Sequence, residues 1–152
     1  MAAPHYSVDV RRLRDFSAID LYEMLKLRVD VFVVEQSCAY PELDGNDPDC
    51  LHLRLLDGQE LLACARLWRP TPDVYPRIGR VAVSPDHRGK RLGETLMREA
   101  IAECEKAYPQ DAIELSAQSH LQKFYGSFGF RPTSEEYLED GIPHVDMIRV
   151  IA

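Results

Sequence analysis

The sequence predicts a single α/β domain in which a mixed sheet carries helices on both faces. The length of 152 residues suits one domain with a substantial core. Strand-like and helix-like segments follow one another in the order strand, helix, hairpin, strand, helix, strand, helix, hairpin. A β-branched run from Ile78 to Val83 leads through a glycine-containing turn into a long helix. Together these patterns favour a mixed sheet flanked by helices.

The first predicted elements are a strand and a helix. Val8 to Leu13 is a weakly patterned strand. Ser17, with an acid three residues later, is typical of a helix N-cap. Apolar residues at spacings of three and four then continue to Phe32, so a helix is expected to end near Val33.

A long loop and a hairpin follow this helix. Glu35 to Asp49 is polar and rich in turn residues, and loops of this length in a compact domain are often functional. Asp57-Gly58 joins two strand-like runs, Leu51–Leu56 and Glu60–Trp68. Both central residues of a type I′ turn need a positive φ, which makes this pair a strong hairpin signal.

The C-terminal half is organised around the strand at Ile78–Val83. A helix is predicted from about Gly89 to Ala107, because Leu92, Leu96, Ala100 and Cys104 recur every four residues. The other predicted elements are a strand at Ile113–Ala117, a helix at Leu121–Phe128 capped by Gly129, a strand at Phe130–Tyr137, a turn at Asp140-Gly141 and a closing strand at His144–Ile151.

Composition narrows the classes of function and location. The net charge of -7 argues against nonspecific nucleic-acid binding, which needs a basic face. No apolar run approaches the roughly 20 residues of a membrane span, and the N-terminus lacks a signal-peptide pattern. Four cysteines without CxxC spacing favour a reduced, cytoplasmic setting. Cys50 and His52 alone do not make a closed metal site, so no metal is expected.

The turn from Arg88 to Gly93 is a candidate anion site. It is basic, contains two glycines and leads into a helix N-terminus. Free backbone N–H groups and the positive end of the helix dipole favour phosphate there. An ordinary turn with solvated basic residues is about equally consistent with this short pattern.

A second segment of interest runs from Gln122 to Phe130 and is rich in aromatic residues. Phe124, Phe128 and Phe130 are best explained as core residues. Tyr125 differs, because a phenol can donate a proton to a strongly basic leaving group.

These two segments, in this order, resemble the paired signatures of the GNAT superfamily of N-acetyltransferases. The residues that carry the resemblance are Val81-Ala-Val-Ser-Pro-Asp-His-Arg-Gly-Lys-Arg-Leu-Gly and Phe124-Tyr-Gly-Ser-Phe-Gly-Phe. Four further segments resemble the ElaA-type acetyltransferases: Leu27-Arg-Val-Asp-Val-Phe-Val-Val-Glu-Gln, Leu43-Asp-Gly-Asn-Asp, Ala117-Gln-Ser-His-Leu-Gln and Glu139-Asp-Gly-Ile-Pro-His. The resemblance implies a GNAT-like, mostly antiparallel central sheet.

The resemblance also implies a binding site for acetyl-CoA. The pantetheine arm is expected to pair with the backbone of the segment Val81, Ala82 and Val83, as an added strand would. A backbone N–H near Val83 would polarise the thioester carbonyl. The pyrophosphate would lie on the amides of the turn. The remaining residues assigned to the cofactor are Arg88, Gly89, Lys90, Arg91, Leu92, Gly93, Gln118 and Gln122.

One position departs from the superfamily pattern. Arg91 stands where a glycine is usual, and glycine lets the backbone approach a phosphate without a Cβ in the way. Arg91 must therefore point its side chain away from the anion or onto it.

The implied reaction needs an acid and a base. Tyr125 matches the family's acid by position, and it would protonate the leaving thiolate. The base is left open among Glu35, His52, Glu114 and His120, with Glu35 and His120 preferred for the catalytic set.

The acceptor side of the implied site is less well defined. Glu42, Asp44 and Asp47 either make the acceptor pocket acidic or, more simply, belong to a solvated loop. Glu139, Asp140 and His144 are expected to close the far side of the pocket.

The resulting prediction is an acetyl-CoA-dependent N-acetyltransferase for a primary amine, either a small molecule or a peptide. A non-catalytic acyl-CoA-binding or sensing module on the same fold is the alternative, and Tyr125 argues for catalysis. An unrelated nucleotide-binding protein is disfavoured because no Walker-type motif is present. Exposed sheet edges make a homodimer reasonable.

Overall fold

The computed structural model describes residues 5–151, which form an eight-stranded sheet with three α-helices. The strands are β1 Ser7–Arg12, β2 Leu51–Asp57, β3 Glu60–Trp68, β4 Arg77–Val83, β5 Ile113–Gln118, β6 Arg131–Pro132, β7 Tyr137–Glu139 and β8 Ile142–Arg149. The helices are α1 Ala18–Val29, α2 Leu92–Ala107 and α3 Gln122–Gly126. No helix within residues 5–151 is both long and apolar enough to cross a bilayer.

The sheet is mixed and mostly antiparallel, as the sequence predicts. Strands β1 to β4 form an antiparallel meander, and β4 then pairs in parallel with β5. Strand β8 returns antiparallel to β5 and also pairs with the short strands β6 and β7. The β4–β5 junction is thus the one parallel step among the described pairs, and helix α2 makes its crossover.

Helices cover both faces of the sheet, which confirms the predicted layering. On β3, Ala63, Ala65 and Leu67 belong to the main core, which includes the buried stripe of α2. Cys64 points the opposite way and packs with Met24 of α1 in a second core. The alternation along one strand therefore separates a face for α2 from a face for α1.

Helix α1 begins as predicted and ends differently. The Ser17 side chain accepts a hydrogen bond from the backbone N–H of Asp20, so Ser17 is the N-cap. The α-helical part stops at Val29, and the chain continues as a π-helix over Asp30–Glu35. Such wide turns are rare and frequently mark functional sites. Here the π-helix carries Glu35 to the central cleft described below.

Helix α2 and the first hairpin differ from their predicted positions. Helix α2 begins at Leu92 rather than Gly89, because Gly89 and Arg91 have positive φ values of 84° and 57°. The central residues of the first hairpin are Gly58 and Gln59, since Asp57 still pairs with Glu60.

The predicted strand at Phe130–Tyr137 is also wrong, because only its two ends pair with β8, as β6 and β7. The type I′ signal is correct at the last hairpin instead. There Asp140 and Gly141 have φ values of 52° and 77°.

Candidate active site

Strands β4 and β5 separate along their length and open a cleft. Their one residue pair is Arg77 with Glu114, where the backbone N–H of Glu114 also donates to the Pro76 carbonyl at 2.9 Å. Beyond this point no residue of β4 pairs with a residue of β5. A cleft of about 870 Å³ lies between the two strands. The sheet therefore contains two unpaired backbone edges at its centre.

A bulge in β4 shapes one wall of the cleft. Cys64 of β3 pairs with Ala82 and Arg66 pairs with Gly79, so β4 contains one residue more than its partner over this step. Arg80, within the bulge, adopts a left-handed φ of 49°. Bulges re-aim backbone groups next to active sites. Beyond the bulge, Val81, Ala82 and Val83 line the cleft. Val81 and Val83 are only half-buried, and this strand is therefore less enclosed than its apolar sequence suggests.

The turn before α2 forms the end of the cleft. Arg88, Gly89, Arg91, Leu92 and Gly93 all line it. Because α2 begins at Leu92, the N–H groups of its first turn have no partners within the helix. Backbone amides at a helix N-terminus favour an anion, so the arrangement suits a phosphate group.

Arg91 occupies the N-cap of α2 with a φ of 57°. This left-handed conformation is easily adopted by glycine and costs other residues energy. It explains why a glycine is usual at this position in the superfamily pattern. The side chain of Arg91 is exposed, and its charge adds to that of the turn.

Glu35 and Arg88 are joined directly, although the sequence assigns them to different halves of the site. Arg88 donates from both terminal nitrogens to the two carboxylate oxygens of Glu35. These hydrogen bonds lower the pKa of Glu35. In this arrangement Glu35 is an ion-pair partner with little basicity. Lys90 lies outside the cleft lining, with Nζ 3.1 Å from Nδ1 of His87.

Tyr125 lies on α3 and lines the cleft. Its side chain is only 7% exposed and meets the rings of Phe124 and Phe130 edge-on. Burial raises the pKa of Tyr125 to about 12. The phenol therefore keeps its proton at neutral pH, as a general acid requires before the leaving group departs.

The other residues assigned to the cofactor or the base differ in position. Gln118 and His120 line the cleft, and Gln118 donates to the Gln36 side chain at 3.3 Å. Gln122 is not among the lining residues and donates to the Ser119 carbonyl instead. His120 is exposed.

Two candidate bases lie away from the cleft. His52 is buried in β2, with Nε2 2.9 Å from the Asp47 carbonyl, and Glu114 pairs with Arg77. Neither residue lines the cleft. Asp47, Cys50 and His52 lie close enough together to suggest metal ligands. The carboxylate of Asp47, however, already binds two arginines, so this cluster does not need a cation.

The loop between α1 and β2 is held by a network of ion pairs that the sequence did not suggest. Arg28 on α1 is 1% exposed and binds both Glu42 and Asp47. The other contacts of the network are Arg66 with Asp44 and Asp47, and Arg80 with Glu42. Glu42 and Asp47 are buried and not solvated, whereas Asp44 is exposed, as the interpretation of a solvated loop expects. All three carboxylates are paired with arginines.

The network also changes the charge states of its members. Burial opposes ionisation of Asp47, but the hydrogen bonds from Arg28 and Arg66 outweigh it and lower its pKa. Hydrogen bonds from Arg66 hold the pKa of Asp44 well below its ordinary range. These carboxylates are therefore fixed as anions and are occupied by arginines, which removes them as proton acceptors.

The β7–β8 hairpin closes the far side of the cleft. Glu139, Asp140 and His144 all line it, at the positions that the sequence predicts. The thiol of Cys38 donates to the Asp140 carbonyl at 3.3 Å, and this contact joins the hairpin to the loop after α1. The cleft thus has a basic turn at one end and a hairpin with two carboxylates at the other.

Comparisons with known proteins agree with this geometry. A family model described as an acetyltransferase (GNAT) domain matches residues 26–151. Protein ElaA of Escherichia coli is 44% identical over 140 residues, which cover 90% of this chain and 92% of ElaA. The crystal structure of Escherichia coli ElaA superposes with a TM-score of 0.88, at 40% identity over 95% of this chain and 99% of that chain.

Two further structures are informative. An acyl-CoA N-acyltransferase from Pseudomonas aeruginosa has a TM-score of 0.90 and 41% identity over 96% of this chain and 100% of that chain. A Bacillus subtilis acetyltransferase solved with CoA has a TM-score of 0.70 and 18% identity, and it covers 97% of this chain and 100% of its own. At that identity the second likeness concerns the fold alone.

Proposed function

This chain belongs to the GNAT family of acetyltransferases, and on that premise we propose that it transfers the acetyl group of acetyl-CoA directly to a primary amine. One observation carries the proposal. The separated edges of β4 and β5, the anion-binding turn before α2 and the buried phenol of Tyr125 all line the same cleft. This arrangement supports an acyl-CoA site and a proton donor within the same cleft.

The donor half of the cleft suits an acyl-CoA. The unpaired backbone of Val81–Val83 offers hydrogen-bonding groups to a ligand that contains amides, as the pantetheine arm does. The pyrophosphate would bind at the first turn of α2, with Arg88 and Arg91 supplying charge. The Pseudomonas aeruginosa relative is described as an acyl-CoA N-acyltransferase, which supports the same donor class.

The transfer itself follows from this placement. The amine nitrogen attacks the thioester carbon, and a backbone N–H of the bulged strand would stabilise the oxyanion. When the C–S bond breaks, the CoA thiolate takes the Tyr125 proton. The pKa of Tyr125, about 12, keeps that proton available throughout the neutral range.

The alternative is a module that binds acyl-CoA without turning it over. A binding module gains nothing from a buried phenol beside the thioester, whereas the contacts of the donor half are needed in both cases. Tyr125 therefore favours an enzyme.

The test combines binding and turnover. Purified protein is titrated with acetyl-CoA by calorimetry and then mixed with a panel of amines while free thiol is measured. The panel holds small amines, amino acids, amino sugars and peptides. Amine-dependent thiol release is expected for at least one class. Binding of acetyl-CoA without thiol release across the panel would favour the binding module.

A variant of the turn checks the donor site. Gly89→Glu should abolish acetyl-CoA binding, because it places a negative charge and a strained left-handed residue at the anion site, where φ is 84°. Gly58→Glu is the matched control, with a φ of 61° in a hairpin outside the cleft. Unchanged affinity in Gly89→Glu would contradict the placement of the phosphates.

A further inference from the structure

The base for the reaction can be sought among the groups that line the cleft. Of the carboxylates there, Glu35, Glu42 and Asp44 are bound by arginines. An ion-paired carboxylate is a weak proton acceptor, because accepting the proton breaks the pair. The other carboxylates of the lining, Glu139 and Asp140, lie on the last hairpin, and the lining also contains two histidines, His120 and His144.

His144 is the better positioned of the two. It follows the last hairpin on β8 and is 8% exposed. Its cross-strand partner on β5 is Gln118. The next pair on the same face of the sheet is Ser116 with Asp146. The neighbouring residues Ala117 and Val145 face the opposite way, into the main core. His144 therefore lies on the cleft side of the sheet, whereas His120 is exposed in the turn before α3.

The tautomer of His144 follows from its contacts. Nδ1 lies 2.7 Å from the backbone carbonyl of Ile142, which can only accept a hydrogen bond. Nδ1 must therefore carry a proton, and in the neutral ring Nε2 has the free lone pair. The ring also stacks on Tyr137, at 6.3 Å between centroids and 28° between planes. Backbone and ring contacts thus fix a proton acceptor in one orientation.

The surroundings of Nε2 favour the protonated product. A carboxylate oxygen of Glu139 lies 3.4 Å away, and the Glu139 side chain is 49% exposed. A new imidazolium would gain a partner that also reaches solvent, where the proton can leave.

The other titratable groups around the ring do not compete for this role. Tyr137 donates to Asp146 and lies beside Ser116, so both groups are already engaged with each other.

We propose that His144 takes the proton from the acceptor amine, with Glu139 stabilising the protonated imidazole. This inference rests on the proposed function and names its base. The ammonium substrate first loses one proton to Nε2 of His144, which passes it to solvent. The free amine then forms the C–N bond. After the C–S bond breaks and Tyr125 has protonated the thiolate, the second proton of the nitrogen returns to Tyr125. One ammonium and one acetyl-CoA therefore give one amide, one thiol and one proton released to solvent.

The test is the pH dependence of kcat with a saturating amine of pKa about 10. His144→Gln keeps a hydrogen-bond donor for the Ile142 carbonyl but cannot accept the amine proton. We expect kcat to fall by about 100-fold near neutral pH, and the loss should shrink as the pH approaches the pKa of the amine. The acetyl-CoA dissociation constant, which reports on folding, should stay within about twofold of wild type, since the cofactor contacts are unchanged.

Two variants separate this role from a structural one. Glu139→Gln keeps the ring and its Nε2 lone pair but removes the carboxylate, so kcat near neutral pH should fall by only a few-fold, much less than in His144→Gln. His5→Gln is the control, because His5 is exposed beside Asp57 and does not line the cleft, and it should leave the profile unchanged.

The outcomes distinguish the inference from the proposed function. A His144→Gln profile equal to that of active wild type would overturn the inference alone. Loss of the acidic limb in Asp146→Asn, with His144→Gln normal, would assign the proton to the chain of Ser116, Tyr137 and Asp146 instead. Wild-type protein that acetylates no amine would overturn both.

Discussion

Arg88 binds both carboxylate oxygens of Glu35, so the π-helical end of the first helix is tied to the turn that precedes α2. The guanidinium also donates to the Val83 carbonyl at 3.3 Å. Arg88 thus connects three parts of the cleft, and any phosphate that binds at the turn must compete with Glu35 for it. Acetyl-CoA binding and the position of the π-helix Asp30–Glu35 are expected to be linked through this residue.

Glu35→Gln should therefore tighten acetyl-CoA binding. The amide leaves Arg88 free for the phosphates, and an exposed ion pair of this kind is worth up to about 1 kcal/mol, or a few-fold in affinity. Calorimetric titration measures the change. Glu60→Gln is the matched control, since Glu60 pairs with His87 outside the cleft. Weaker binding in Glu35→Gln would show that Glu35 helps the cofactor.

Tyr125→Phe should lower turnover by about 100-fold while the affinity for acetyl-CoA changes little. The substitution removes only the hydroxyl and keeps the ring contacts with Phe124 and Phe130. Because the pKa of Tyr125 is about 12, wild-type turnover should show no decline from its ionisation up to about pH 10. Steady-state rates and single-turnover thiol release measure both effects. Unchanged turnover in Tyr125→Phe would rule out its role as the acid.

Arg91→Gly should increase the free energy of unfolding by about 0.5–1 kcal/mol, because glycine adopts the left-handed conformation without strain. The same change at Arg80, the other left-handed arginine, should be destabilising. Arg80 binds Glu42 and stacks over the Phe32 ring, and these contacts outweigh the relief of strain. Urea denaturation of both variants measures the contrast. An unchanged or lower free energy of unfolding in Arg91→Gly would show that backbone strain contributes little at Arg91.

Asp47→Asn should destabilise the protein by about 3–5 kcal/mol, because Arg28 and Arg66 lose the charge that compensates their burial. The pKa of Asp47 is lowered from 3.8 in the folded protein. Its stabilisation is therefore complete above pH of about 4 and is lost as the pH falls through the folded value.

The unfolding free energy of Asp47→Asn should accordingly fall less steeply than that of wild type below about pH 4. Asp49→Asn, an exposed neighbour in the same turn, is the control and should behave like wild type. A steep acid transition that persists in Asp47→Asn would place the responsible carboxylate elsewhere in the network.

Much of the fold is predictable from local patterns, because those patterns report on single elements. The stripe of Leu92, Leu96, Ala100 and Cys104 is buried as expected, and Ser17 caps its helix. The predicted ends of helices and strands are wrong where tertiary contacts determine them. Phe130–Tyr137 has strand-like residues, but only its ends reach β8.

The parts of the site that lie in short sequence motifs are predictable. The contacts between side chains that are far apart in the sequence are not. The turn and Tyr125 lie in short motifs. Arg28, by contrast, finds Glu42 and Asp47 only through the path of the intervening loop, and nothing local marks it as buried. The same holds for Glu35, whose contact with Arg88 spans 53 residues. The sequence predicts His144 at the cleft, but the contact of Nδ1 with the Ile142 carbonyl, which fixes the tautomer, depends on the side-chain conformation.

The separation of β4 from β5 has a consequence for solubility. An open strand edge on a protein surface invites a neighbouring chain to add to it, and repeated addition leads to aggregates. Here two open edges face each other across a cleft whose lining includes Phe32 and Tyr125. They stay available to a slender ligand with amide groups and lie out of the path of a strand from another molecule. The protein thereby keeps unpaired backbone groups for ligand binding at a place where another molecule of the same chain cannot easily add a strand.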